Sequence, residues 1–133
     1  CTKAQQQLEK NAPKGFFLMV EGALIDGFEH NNYAEGLIEE MHEFDRVLKT
    51  LIAYVNSHPN TLLVVTADHE TGGTCIRYKK HPINQPEGIE IGFISQGHTG
   101  TVVPVFAYGV GAEKFAGIFK NKELPGIIEE LIK

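Results

Sequence analysis

A long amphipathic segment between two short apolar runs most constrains the fold of this chain. From Glu35 to Asn56, apolar side chains recur every three or four positions, which predicts a helix with one face against a core. The flanking segments Phe16–Val20 and Thr61–Thr66 contain uninterrupted apolar runs, which are typical of strands buried on both faces of a parallel sheet. Strand, long helix and strand in this order predict a βαβ unit.

The remaining segments predict further helices and strands. Additional helices are expected at Thr2–Asn11, Glu113–Phe119 and Leu124–Ile132, and additional strands at Cys75–Tyr78, Ile89–Ile94 and Val102–Tyr108. Lys79–Gly88 is expected to be a loop, because it lacks periodicity and contains two prolines. The predicted class is α/β, with a mostly parallel sheet flanked by helices on both faces, and 133 residues suit one domain.

The composition excludes several classes of protein. A net charge of -5 leaves no basic surface for the phosphates of a nucleic acid. The apolar runs are too short to span a bilayer, and no signal-peptide pattern opens the chain. Two cysteines exclude a disulfide framework and leave a single bridge open.

Acidic and imidazole side chains follow the predicted strands in three separate segments. Glu21, Asp26 and His30 follow the first apolar run, Asp68 and His69 follow the second, and His98 lies in a glycine-bounded turn. The carboxyl ends of parallel strands meet at one sheet edge, where ligands bind. Carboxylates mixed with imidazoles suit zinc, and carboxylates alone suit magnesium.

These candidate ligands indicate a function only when they are considered together. Taken singly, an acid after a strand is commonly a turn or helix-cap residue, and a loop histidine commonly makes only local hydrogen bonds. Together they exceed what one tetrahedral ion needs, and metals about 4 Å apart are a known solution for displacement at phosphorus. The group therefore indicates phosphoester chemistry.

Three motifs resemble the C-terminal half of the alkaline phosphatases. They are Val20–Asp26 with His30 four residues later, Thr66–Gly73, and Gly97–Gly100, in the same order and with similar spacing. The resemblance covers nearly the whole chain. It implies an alkaline-phosphatase-like fold truncated at the N-terminal side, with residues 1–133 forming the C-terminal portion of the domain.

The resemblance also implies a role for each candidate ligand. Glu21 is similar to the carboxylate that binds the single Mg²⁺ of the family. Asp26, His30 and His98 resemble the ligands of one Zn²⁺, and Asp68 and His69 resemble ligands of a second Zn²⁺. The implied activity is hydrolysis of phosphomonoesters through a covalent phosphoserine.

The chain departs from the family pattern in what it lacks. The family's serine nucleophile, its phosphate-binding arginine, a bridging aspartate and a further magnesium ligand lie upstream of the matched region. Here the serines are Ser57 and Ser95 and the arginines are Arg46 and Arg77, and none lies in such a motif. Gly27 also stands where many relatives carry a longer polar residue. The chain is therefore expected to be a fragment that is inactive by itself.

Two other functions stay open at this stage. One is a non-catalytic metal-binding module, and the other is a fragment of a related phosphodiesterase or sulfatase. An unpaired strand edge in a truncated sheet favours a homodimer. The family resemblance implies an extracytoplasmic location, either periplasmic or secreted.

Overall fold

The computed structural model describes residues 2–79 and 88–132 of the chain. Four α-helices are present in this part: α1 (Thr2–Asn11), α2 (Ala23–His30), α3 (Ala34–Ser57) and α4 (Leu124–Leu131). Six short strands are present: β1 (Leu62–Thr66), β2 (Glu70–Thr71), β3 (Cys75–Tyr78), β4 (Ile89–Gly92), β5 (His98–Thr99) and β6 (Val105–Gly109). Two 3₁₀ turns, Ala112–Phe115 and Asn121–Glu123, precede α4. None of the described helices has the length and apolarity needed to cross a membrane.

All strand pairs in the described residues are antiparallel. β1 pairs with β6, β2 with β5, and β3 with β4. The α/β class is confirmed, whereas the predicted parallel pairing does not occur within this part of the chain. The strand that pairs with β1 in the described residues is β6, which runs in the opposite direction.

The predicted strand Phe16–Val20 does not form. This segment has no assigned secondary structure, and Phe17 and Met19 are 60% and 80% exposed. A continuous apolar run becomes a buried strand only where other strands and helices cover both of its faces. Within the described residues no strand pairs with it, and the predicted βαβ unit is therefore incomplete.

The long helix α3 organises the packing. Its buried residues include Leu37 near the start and Val55 near the end, and it packs against α2, β1 and β6. The ring of Phe28 in α2 meets the ring of Tyr33 edge-on, with centroids 5.6 Å apart. The buried Gly36 lies close to both rings, where a larger side chain would collide with them. This contact fixes α2 against the start of α3.

Several predicted elements match the structure and others need correction. Helices α1, α3 and α4 and strands β1, β3, β4 and β6 form close to their predicted limits. The predicted helix Glu113–Phe119 is only a 3₁₀ turn ending at Phe115, because Gly117 has a φ of +112° that an α-helix cannot contain. The predicted loop Lys79–Gly88 lies mostly outside the described residues. Cys75 is a free, exposed thiol.

Candidate metal centre

Two local structures bring the first group of candidate ligands together. Helix α2 begins after Gly22, and its four-residue spacing places Asp26 and His30 on the same face. His98 comes from β5, where it lies opposite Thr71 of β2. The β2–β5 pair thus carries His98 to the side of α2.

Asp26, His30 and His98 form a compact cluster of donor atoms. Asp26 Oδ1 lies 3.3 Å from His30 Nε2 and 3.6 Å from His98 Nε2, and the two Nε2 atoms are 3.2 Å apart. With metal–ligand bonds of about 2.0–2.1 Å, two ligands of a tetrahedral zinc ion are separated by about 3.3–3.4 Å. The three separations agree with this value, and these residues therefore fit a zinc ion.

The ring of His30 is oriented by a backbone carbonyl. Its Nδ1 lies 2.6 Å from the carbonyl oxygen of Gln96, and a carbonyl can only accept a hydrogen bond. In a neutral His30 ring Nδ1 therefore carries the hydrogen, and the Nε2 that faces Asp26 and His98 offers a lone pair. Metal-binding histidines usually have such an outer partner.

Asp68 and His69 form a second pair of donors beside the first. Asp68 Oδ2 lies 3.2 Å from His69 Nε2, and the ring of His69 stacks on that of His98 with centroids 3.5 Å apart. The Asp68 side chain is 87% exposed, and its backbone carbonyl accepts a hydrogen bond from the Asn121 side chain. The two donor groups are therefore adjacent, and the second opens to solvent.

A buried threonine lies between the two groups. Thr71 is 1% exposed, and its hydroxyl oxygen lies 2.7 Å from Asp26 Oδ1 and 3.2 Å from His69 Nδ1. The hydrogen bond from Thr71 lowers the pKa of Asp26, and the nearby imidazoles act in the same direction. Asp26 is consequently held as a carboxylate, the form that binds metal.

Glu70 supports the loop around this site. Its carboxylate accepts hydrogen bonds from the backbone N–H groups of Gly73 and Thr74 and from the hydroxyl of Thr99. The Thr99 hydroxyl is the main reason why the pKa of Glu70 is lowered. On the other side of the loop, burial raises the pKa of Glu29, whose carboxylate accepts a hydrogen bond from Thr74.

Glu21 is not part of either donor group. It lies just before α2, is exposed, and makes no hydrogen bond or ion pair to any residue that the structure describes. The structure therefore brings together five of the six predicted ligands and leaves Glu21 apart.

Sequence reasoning missed the residues that orient these ligands. Thr71 and Glu70 lie within the second motif, but their residue types do not indicate metal binding, and the Gln96 carbonyl carries no side-chain signal at all. The available signal was the alternation of side chains along an extended chain. Thr71 lies two residues after His69, so the two side chains point to the same side. A two-residue strand is too short to be recognised from periodicity.

Comparison with known proteins shows which family the chain belongs to. A sequence model described as alkaline phosphatase matches residues 1–89. The chain is 33% identical to the streptomycin-6-phosphate phosphatase of Streptomyces griseus, covering 90% of this chain and 30% of that protein. It is 32% identical to the alkaline phosphatase of Escherichia coli strain K12, covering 92% and 28%.

Solved structures give the same result. The alkaline phosphatase of the Antarctic bacterium TAB5 has a TM-score of 0.81 and 41% identity, covering 88% of this chain and 35% of that one. A variant of the TAB5 enzyme has been solved with magnesium bound. The chain spans less than half of the length of each of these relatives. Both its sequence and its fold therefore assign the chain to the alkaline phosphatase family.

Proposed function

We propose that these 133 residues form the C-terminal portion of an alkaline phosphatase domain and supply most of the metal ligands of a phosphomonoesterase. The observation that carries the proposal is the cluster of Asp26, His30 and His98, whose donor atoms all lie within 4.8 Å of one another. Membership of the alkaline phosphatase family supports the reaction class. The magnesium bound to a TAB5 variant supports a metal requirement.

The proposed assignment uses two zinc ions and one magnesium ion. Asp26, His30 and His98 would hold one zinc, Asp68 and His69 would hold part of the second zinc site, and Glu21 would hold magnesium. The bound cations would supply positive charge that stabilises the entering and leaving oxygens of the ester. The chain's own contribution is to keep Asp26 ionised and to direct the Nε2 atoms of His30 and His98 at one point beside it.

The nucleophile of the proposed phosphoserine mechanism is not among these residues. The Ser57 hydroxyl donates to the Tyr54 carbonyl oxygen at 2.9 Å, which ties it to the end of α3. Ser95 Oγ accepts a hydrogen bond from the backbone N–H of Gly97 at 2.8 Å. Both serines are therefore engaged in local backbone contacts, and we expect the 133 residues alone to be inactive.

The wider biological setting is part of the same proposal. The substrate class would be phosphomonoesters. An extracytoplasmic location follows from the habit of the family and would be tested by fractionating cells that express the natural gene.

A zinc titration tests the proposed ligands directly. Isothermal calorimetry of the chain is expected to show zinc binding that His98→Ala weakens by at least about tenfold, because one of three donors of the cluster is lost. His42→Ala is the matched control, since His42 is an exposed histidine on α3. Equal zinc affinities for the wild type and His98→Ala would contradict the assignment.

A chimera tests the reaction. These residues would replace the matching segment of the TAB5 alkaline phosphatase, and hydrolysis of p-nitrophenyl phosphate would be measured with zinc and magnesium present. We expect turnover that is lost in His98→Ala and retained in His42→Ala. A folded, zinc-loaded chimera that hydrolyses bis(p-nitrophenyl) phosphate or p-nitrophenyl sulfate faster than the monoester would instead favour a diesterase or sulfatase.

A non-catalytic metal-binding module is the second candidate. It is favoured by the fact that three donors already converge within this chain without any other polypeptide. Tight, stoichiometric zinc binding by the chain together with an inactive, zinc-loaded chimera would select this function over the phosphatase.

A further inference from the structure

The buried hydroxyl of Thr71 touches one member of each donor group. Its Oγ1 is 2.7 Å from Asp26 Oδ1 and 3.2 Å from His69 Nδ1, and the side chain is 1% exposed. Bulk water therefore does not reach the Thr71 side chain. A threonine hydroxyl has one hydrogen to donate and lone pairs that accept.

The directions of these two hydrogen bonds follow from the partners. An ionised carboxylate can only accept, so Thr71 donates its single hydrogen to Asp26. Towards His69 the hydroxyl can then act only as an acceptor, and the hydrogen of a neutral His69 ring must lie on Nδ1. The opposite nitrogen, Nε2, is left with a lone pair.

This tautomer matters because of what faces Nε2. Asp68 Oδ2 lies 3.2 Å from it, and two acceptors at this distance repel each other unless a cation lies between them. If the hydrogen were on Nε2, it would instead be donated to Asp68 and would block both donors. The position of one ring hydrogen thus decides whether Asp68 and His69 form a metal site.

We propose that Thr71 is a positioning residue that couples the two donor groups, orienting the Asp26 carboxylate in one and selecting the metal-binding tautomer of His69 in the other. The inference rests on the proposed function for the identity of the metal. Its structural part, the ring tautomer, does not depend on any metal.

Three variants separate the hydroxyl from the bulk of the side chain. Thr71→Val removes the hydroxyl and keeps the shape, and Thr71→Ser keeps the hydroxyl and removes a methyl group. Thr74→Val is the matched control, because Thr74 is a nearby threonine whose hydroxyl contacts Glu29 and the Thr71 carbonyl but no proposed ligand. Circular dichroism would establish that each variant is folded.

The first measurement is the tautomer of His69 in the metal-free chain. Long-range ¹⁵N–¹H spectra at alkaline pH, where imidazoles are neutral, distinguish a hydrogen on Nδ1 from one on Nε2. We expect Nδ1–H in the wild type, Thr71→Ser and Thr74→Val, and a shift towards Nε2–H in Thr71→Val. A wild-type ring with its hydrogen on Nε2 would overturn the inference, whether or not the variants fold.

The second measurement is zinc affinity by competition with a chelator. Loss of an outer-shell partner typically costs about 10–100-fold in metal affinity, and this loss is expected for Thr71→Val only. A Thr71→Ser variant as weak as Thr71→Val would show that the methyl group matters instead, and it would also overturn the inference. If the wild type binds no zinc, the proposed function fails, while the tautomer spectra still decide the role of Thr71.

Discussion

Glu70 and Thr99 lie opposite each other in the β2–β5 ladder, and the hydroxyl of Thr99 donates to the carboxylate of Glu70. The same carboxylate accepts from the N–H groups of Gly73 and Thr74, so one side chain joins the loop after His69 to the strand of His98. The relative position of the two donor groups therefore depends on a residue that binds no metal in the proposed assignment.

Replacement of Glu70 is expected to loosen this connection. Glu70→Ala leaves two backbone N–H groups without their acceptor, and the free energy of unfolding should fall by about 1–3 kcal/mol. Urea denaturation measures the change. Glu129→Ala on the exposed side of α4 is the control and should change the unfolding free energy by less than about 0.5 kcal/mol. Equal effects of the two substitutions would contradict the proposed support.

Two glycines should respond in opposite directions to the same substitution. Gly109 has a φ of +107°, and an added Cβ would lie 2.1 Å from the carbonyl oxygen of Thr61. Gly109→Ala should therefore destabilise the chain by at least about 2 kcal/mol, through strain and overlap with backbone. Gly126 lies within α4, where the added group would have no atom within 4 Å beyond its chain neighbours and the backbone of the helix itself, and Gly126→Ala should stabilise by about 0.5 kcal/mol.

Thermal unfolding of both variants tests whether Gly109→Ala lowers the melting temperature and Gly126→Ala raises it. The wild-type midpoint should lie between those of the two variants. A Gly109→Ala protein that melts at or above the wild-type temperature would show that the backbone at the end of β6 differs from the one described.

The contact between α1 and α3 should weaken at alkaline pH. Tyr54 of α3 donates to Glu9 of α1, and burial, followed by this hydrogen bond, raises the pKa of Tyr54 above the ordinary value of 10.0. Because the pKa of Tyr54 is higher in the folded than in the unfolded state, its contribution to stability is complete below the unfolded-state pKa. This contribution is lost as the pH rises through the folded-state pKa. Ionised Tyr54 would also face the Glu9 carboxylate.

The test compares the wild type with Tyr54→Phe. As the pH rises above about 10, the unfolding midpoint in urea should fall more steeply in the wild type than in the variant. Other tyrosines and lysines titrate in both proteins and cancel in the comparison. Parallel pH profiles would contradict a role for the Tyr54 hydroxyl.

The sequence predicted the parts of this structure that are governed by local pattern. The stripe of α3 is long and regular, and both it and the order of the three ligand motifs were recognisable without coordinates. Helix α2 was not predicted, because it has only 8 residues and contains Gly27, a poor helix former. Its formation depends on packing against α3, which no local pattern reveals.

Phe16–Val20 is a segment for which the local pattern gave a wrong prediction. Its composition predicts a buried strand, yet a strand also needs partners, and strand pairing is a property of distant segments. The same applies to β1, for which the apolar run indicated the strand correctly but not the direction of its neighbour. Among the proposed ligands, proximity followed from the motifs, whereas the hydrogen bonds that orient them did not.

The exposed apolar segment leads to a prediction about association. Phe17 and Met19 are 60% and 80% exposed, and buried hydrophobic residues in the described part of the chain are limited to Leu37, Val55 and Phe115. Exposed apolar surface of this kind favours contact with another polypeptide. Within the described residues β1 is paired along one edge only, so its other edge also offers unpaired backbone groups. We therefore expect the 133-residue chain by itself to form dimers or larger species at micromolar concentration.

Size-exclusion chromatography with light scattering measures this association over a range of concentrations. Met19→Asp should shift the equilibrium towards monomer, because a charge in the contact would have to be desolvated. Thr50→Asp, at an exposed position on α3, introduces the same charge away from the segment and should leave the distribution unchanged. A wild-type chain that stays monomeric at every concentration would mean that its apolar segment is covered within the monomer, contrary to the exposure described for Phe17 and Met19.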